Sequence, residues 1–88
     1  MNDEIRIFAD GILTAIGQPL LTDVEADALP SEMDDVKIYQ ALADIINNRE
    51  FPDGGIAKLN AYAVLHDVDF SAERKVFNNI FIGAELAN

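Results

Sequence analysis

The sequence predicts a mostly α-helical single domain, 1–88, folded as a compact bundle of four to five short helices. Three observations favour this fold class. Apolar residues recur at steps of three and four in several separate segments, which is the period of a helix with one buried face. Residues that cap helix N-termini precede these segments, and proline or glycine stands between them.

The first predicted helix begins at Asn2 or Asp3, either of which can accept hydrogen bonds from the free N–H groups of a first turn. Its apolar face is a stripe at helical spacing that consists of Ile5, Phe8, Ile12 and Ile16. Gly17 is a suitable C-cap residue, and the following Gln18-Pro19 ends the helix. Residues 4–8 also alternate between polar and apolar, so a strand is the alternative for this segment.

A short acidic helix is predicted from about residue 23 to 29. Thr22 and Glu25 have the spacing of a capping box, in which the hydroxyl and the carboxylate each accept a backbone N–H. Leu21 and Ala26 are spaced to form a hydrophobic staple across the same helix start. Pro30 then ends the helix.

The central predicted helix runs from about residue 32 to 47, and the other elements are expected to pack on it. Ser31 to Asp34 repeats the capping pattern and starts this helix. The helix has the most regular apolar stripe in the chain, formed by Val36, Tyr39, Leu42 with Ala43, and Ile46. Ile38 and Ile45 widen the apolar face, which is typical of a helix buried between neighbours.

Two further helices are predicted after the Pro- and Gly-containing turn at 51–55. The first runs from about 55 to 66, with one face formed by Ile56, Leu59, Tyr62 with Ala63, and Leu65 with His66. The second starts at Ser71 or Asp69 and carries apolar residues up to Ala84. The alternative for this last segment is a hairpin at 75–82 on an Asn-Asn turn, pairing with a strand at 4–8 to give an α+β fold.

The charge of the chain restricts its partners. Sixteen acidic residues against six basic ones give a net charge of −10, which repels nucleic acid and anionic membranes and favours a basic protein surface. No cysteine is present, and no apolar run reaches the roughly eighteen residues of a membrane span. No basic segment precedes an apolar run, so we expect no secretory signal and a cytoplasmic location.

Six carboxylates lie within fifteen residues that contain neither lysine nor arginine: Asp23, Glu25, Asp27, Glu32, Asp34 and Asp35. We call these six residues the acidic run. One interpretation is a solvated face whose acids stabilise two helix N-termini. The other is a docking surface for a basic partner, as in an inhibitor or nucleic-acid mimic that occupies a site made for phosphates. The first interpretation already explains much of the run, and the missing bases keep the second one open.

Other residues give little support for chemistry, so we predict that the protein is not an enzyme and has no cofactor or metal site. His66 is the single histidine, and a nucleophilic serine needs a nearby base. Residues 67–78 begin like a calcium loop. However, Ala72 and Asn78 stand where such a loop needs its glycine and its bidentate glutamate.

Residues 33–42, together with Phe51-Pro52-Asp53, resemble the second helix of an acyl carrier protein and the turn after it. The resemblance covers about twenty residues and implies a small acidic protein of four helices that carries a phosphopantetheine arm on a serine. The family presents Asp-Ser-Leu, whereas this chain has Ser31-Glu32-Met33, so Ser31 is the candidate attachment residue only in a shifted register. A third alternative is a small structural or assembly subunit, which predicts a homo-oligomer.

Overall fold

The computed structural model describes residues 3–50 and 54–68, and this part of the chain is mostly helical, with no strand. Four helices follow one another: α1 (Asp3–Ala15), α2 (Asp23–Ala26), α3 (Asp35–Asn47) and α4 (Gly55–Leu65). Helix α3 packs against both α1 and α4, so it is the central element, as the sequence predicts. The predicted mostly α fold is confirmed. No helix in the described ranges has the length and apolar character needed to cross a membrane.

Helix α1 settles the choice between helix and strand for residues 4–8. Both acids of its first turn, Asp3 and Glu4, lie where the helix dipole favours negative charge. The strand alternative is therefore wrong for this segment, because the period of 3.6 extends over thirteen residues and buries one continuous face. Gly17 ends the helix with φ 76°, and Gln18 N–H donates to the carbonyl of Leu13 at 2.8 Å, as in a Schellman motif.

Helix α2 is shorter than predicted but begins where expected. Thr22 Oγ1 accepts from Glu25 N–H at 3.1 Å, and Glu25 Oε1 accepts from Thr22 N–H at 3.0 Å, so the predicted capping box is confirmed. Beyond Ala26 the hydrogen bonds span three residues instead of four, which continues a tight turn up to Leu29.

The start predicted for the central helix is wrong by three residues. Helix α3 begins at Asp35 with Asp34 as its N-cap, and Ser31 lies in the preceding loop. Asp34 has an extended backbone (φ −130°, ψ 109°), and its Oδ1 accepts from Lys37 N–H at 3.3 Å. Serine and aspartate are both favoured N-cap residues, so the sequence pattern alone does not decide between Ser31 and Asp34.

The backbone has a positive φ, in the left-handed region, at both ends of α4. Gly54 precedes the helix with φ 71°, and Asp67 follows it with φ 56°. Val68 N–H then donates to the carbonyl of Ala63 at 3.0 Å, which closes a second Schellman motif. At Gly55, a Cβ would lie 2.6 Å from Gln18 Nε2 and 2.9 Å from Ile46 Cγ2, so glycine allows α4 to start close to α3.

The core is one apolar cluster between α1, α3 and α4, to which Leu21 and Ala26, the two ends of the predicted staple, also belong. Ile38 and Ile45 are both buried, so the wide apolar face predicted for α3 is confirmed. Four apolar residues of the predicted stripes lie outside the buried core, and two of them, Val36 and Tyr62, are partly buried. Phe8 is 39% exposed and Leu65 is 77% exposed. The predicted fifth helix and the alternative hairpin at 75–82 lie outside the described residues.

Candidate protein-binding site

The acidic run follows α2 and the beginning of α3. Asp23 and Glu25 belong to α2, and Asp27 is its C-cap residue. Glu32 is exposed in the loop between the two helices. Asp34 and Asp35 are the N-cap and first residue of α3. The structure thus divides the run between two helices and the loop that joins them.

Arg49, just after α3, neutralises one member of the run. Its Nε donates to Glu25 Oε2 and its Nη2 to Glu25 Oε1, both at 2.9 Å, which is a bidentate pair. Its Nη1 also donates to Gln18 Oε1 at 3.1 Å and to the carbonyl of Pro19 at 3.0 Å. One guanidinium therefore ties the end of α3 to α2 and to the loop after α1.

This pairing changes the acidity of Glu25. The pKa of Glu25 is lowered from 4.5 to about 2, chiefly by the hydrogen bond from Arg49 and also by the capping contacts with Thr22, against the opposing effect of burial. The two side chains are 12% and 22% exposed, so the pair is partly shielded from water. Glu25 is therefore ionised at neutral pH, and its carboxylate links α2 to the segment after α3 through Arg49.

A second arginine, Arg6 of α1, neutralises another acid at the surface. Its Nη1 donates to Asp23 Oδ1 at 3.0 Å, and its Nη2 donates to the carbonyl of Leu21 at 3.2 Å. The Asp23 side chain is 94% exposed, so the pair is well solvated. Two of the six acids in the run therefore do have balancing bases, supplied from distant parts of the sequence.

The other four acids form no ion pair with a base within residues 3–50 or 54–68. We call Asp27, Glu32, Asp34 and Asp35 the unpaired acids. Asp34 and Asp35 are held by backbone hydrogen bonds, because Asp35 Oδ1 accepts from Val36 N–H at 2.8 Å as Asp34 does from Lys37. Asp27 and Glu32 are exposed. The uncompensated charge of the run is thus concentrated from residue 27 to residue 35.

Sequence reasoning had no local signal for the two arginines. Arg49 lies 24 residues from Glu25, and Arg6 lies 17 residues from Asp23. A search for bases inside the run could not find them, since only the packing of α1 and α3 brings them there. Asp10 was missed for the same reason. Its Oδ1 accepts from Leu21 N–H at 2.9 Å and holds the loop after α1 against that helix.

A groove of about 460 Å³ lies beside the start of α3. Its walls come from three helices. Helix α1 contributes Ile7 and Phe8, α3 contributes Asp35 and Tyr39, and α4 contributes Tyr62, while His66 and Val68 lie just beyond α4. Asp35 belongs both to this groove and to the unpaired acids. The sequence predicts Phe8 in the apolar stripe of the first helix, but Phe8 lines this surface groove instead of the core.

Aromatic rings stack along one wall of the groove. The ring centroids of Tyr39 and Tyr62 are 6.5 Å apart, and those of Tyr62 and His66 are 4.2 Å apart. Burial raises the pKa of the Tyr39 phenol to about 12, with smaller contributions from Tyr62 and the carboxylate of Asp35. The Tyr39 phenol is therefore neutral across the physiological pH range, and it forms part of the groove wall.

Two predictions from the sequence, on metal binding and on Ser31, concern this region. Among residues 3–50 and 54–68 no group of three or more histidine or acidic side chains is arranged to hold a metal ion. Ser31, the residue suggested by the carrier-protein resemblance, lies exposed in the loop before Asp34 and is not at the start of a helix. What the region offers is a set of carboxylates beside an apolar groove with an aromatic wall.

No family model matches the chain, and no curated protein or solved structure is significantly similar to it.

Proposed function

We propose that this chain is a cytoplasmic, non-enzymatic protein-binding module that uses its acidic run to occupy a basic site on a partner protein, as an inhibitor or nucleic-acid mimic does. One observation carries the proposal. Four carboxylates between residues 27 and 35 have no balancing base within the described part of the chain, although the same fold supplies arginines to Asp23 and Glu25.

The stabilising roles of the acids do not account for all four. Asp34 caps α3, and Asp35 lies in the first turn of that helix, where the dipole favours a carboxylate. Asp27 is at the C-terminal end of α2, where a negative charge is unfavourable to the dipole, and Glu32 is in a loop. Binding a basic partner would account for the presence of these two carboxylates.

The arrangement is also suited to rapid association. Close carboxylates on a chain of net charge −10 produce a negative potential that attracts a basic surface and orients it before contact. Backbone hydrogen bonds already hold Asp34 and Asp35, so binding would cost little side-chain entropy at these positions.

Affinity capture from the organism that encodes the chain tests the proposal, with proteins retained at about 0.1 M salt identified by mass spectrometry. The test variant combines Asp27→Lys with Glu32→Lys, which leaves the N-cap residues Thr22 and Asp34 in place. The control variant is Asp44→Lys combined with Glu50→Lys. It makes the same charge change at exposed acids outside the run.

We expect the wild type to retain a protein with a basic surface, and we expect retention to fall at least about tenfold in the test variant and at about 0.5 M salt. The control variant should retain it. A partner that remains bound to the test variant at high salt would refute the proposal. Equal losses in the two variants would also refute a specific role for the acidic run, because they would show that only net charge matters.

A further inference from the structure

We propose that the groove between α1, α3 and α4 binds apolar side chains of a partner segment whose flanking residues are Lys or Arg. This inference rests on the proposed function and extends it, because it identifies the chemistry of the partner segment. The groove would take the apolar side chains, and Asp35 would pair with an adjacent base.

The groove exposes apolar side chains that have no role in the core. Ile7 is 71% exposed and Phe8 is 39% exposed, and both line the groove. Its volume of about 460 Å³ is within the range of about 300–1,000 Å³ typical of ligand pockets. The rings of Tyr39 and Tyr62 stack, and the ring of His66 is tilted against Tyr62, so one side of the groove is aromatic.

The charge around the groove selects a basic occupant. Asp35 lines it, and Asp67 lies in sequence between two other lining residues, His66 and Val68. None of the described lining residues is a lysine or arginine. An apolar segment with acidic flanks would therefore be repelled, and one with basic flanks would be attracted.

A second apolar depression on the same side of α4 provides an internal comparison. It has a volume of about 580 Å³ and is lined by Ile16, Leu65 and the base Lys58. Tyr62 separates the two depressions, since it lines both. Apolar character alone would let a peptide bind either depression, whereas complementary charge favours the groove beside Asp35.

The test uses the full chain and three amidated peptides of about fourteen residues. The first has leucines on one helical face and lysines elsewhere. In the second, alanines replace the leucines, and in the third, glutamates replace the lysines. Backbone amide shifts in ¹H–¹⁵N NMR spectra locate the binding surface, and titrations give the dissociation constants.

We expect the Leu/Lys peptide to shift the amides of Ile7, Phe8, Tyr62 and His66, with a dissociation constant on the order of 10 µM. Both altered peptides should bind at least about tenfold more weakly. Ile7→Ser should weaken binding of the Leu/Lys peptide about tenfold. Leu65→Ser, an equally exposed residue of the second depression, should leave binding unchanged.

Several results would overturn the inference, and they separate it from the proposed function. One such result is that the shifts are confined to residues 27–35 and the Leu/Lys and Ala/Lys peptides bind equally. This would support the acidic docking surface and exclude the groove as a binding site. If the Leu/Glu peptide binds the groove as strongly as the Leu/Lys peptide does, the groove does not select a segment with basic flanks. Absence of groove shifts with every peptide, as when a second copy or the chain's own residues 69–88 fill the groove, would also overturn it.

Discussion

Replacing Arg49 with methionine should destabilise the folded protein by about 1.5–3 kcal/mol at pH 7. Methionine keeps the unbranched apolar stem and removes the guanidinium. Glu25 would lose its bidentate partner, and the carbonyl of Pro19 and the side-chain oxygen of Gln18 would each lose a donor.

The magnitude follows from the acidity of Glu25 and from the lost hydrogen bonds. A pKa lowered from 4.5 to about 2 corresponds to about 3 kcal/mol at full weight, and screening by solvent reduces this to about 1–2 kcal/mol. The bonds to Gln18 and Pro19 add about 0.5–1 kcal/mol together in a partly exposed setting. For a chain of 88 residues this loss is a large part of the total free energy of unfolding.

Urea denaturation followed by circular dichroism at pH 7, 5 and 3 measures the effect. Because the folded pKa of Glu25 lies below its unfolded value, the pair stabilises the fold fully above about pH 5. This contribution is lost as the pH falls from about 4.5 towards 2. The free-energy difference between wild type and Arg49→Met should therefore be largest at pH 7 and should shrink below about pH 4.

The matched control is Arg6→Met, which removes the other arginine that pairs with the acidic run. Its partner Asp23 is 94% exposed, so the loss should be under about 1 kcal/mol. Equal losses in the two variants, or a loss in Arg49→Met that is the same at pH 7 and pH 3, would refute this account of Glu25.

Four further predictions concern glycine positions and helix ends, and they are measured by the same denaturation assay. Gly55→Ala should destabilise the fold by about 1–3 kcal/mol, because its Cβ would overlap the Gln18 and Ile46 side chains. Gly11→Ala, with nothing within 4 Å of the added Cβ, should instead stabilise α1 by about 0.5–1 kcal/mol. Thr22→Ala should cost about 1 kcal/mol by breaking the capping box, and an unchanged midpoint would contradict that role. Asp67→Gly should stabilise the fold by about 0.5–1 kcal/mol, because glycine adopts φ 56° without strain; destabilisation would show that the aspartate side chain contributes more than its backbone costs.

The helices and most of their ends follow from the sequence alone, because each depends on residues within one or two turns. The capping box at Thr22, the left-handed Gly17 and the 3.6-residue period of α1 are local features of this kind. The start of α3 shows the limit of local reasoning. Ser31 and Asp34 are both good capping residues, and their spacing alone does not decide between them.

Side-chain burial and charge pairing depend on which helices meet, so only the tertiary structure decided them. Phe8 fits an apolar stripe by spacing, but α1 turns Ala9 and Leu13 into the core and leaves Phe8 at the groove. The acidic run has no base of its own, yet packing brings Arg49 to Glu25 across 24 residues. The sequence therefore determined a small acidic helical bundle, and the tertiary structure decided which carboxylates stabilise it and which remain without a base. The physical reason is that helix formation is governed by neighbours along the chain, whereas neutralisation and burial are governed by neighbours in space.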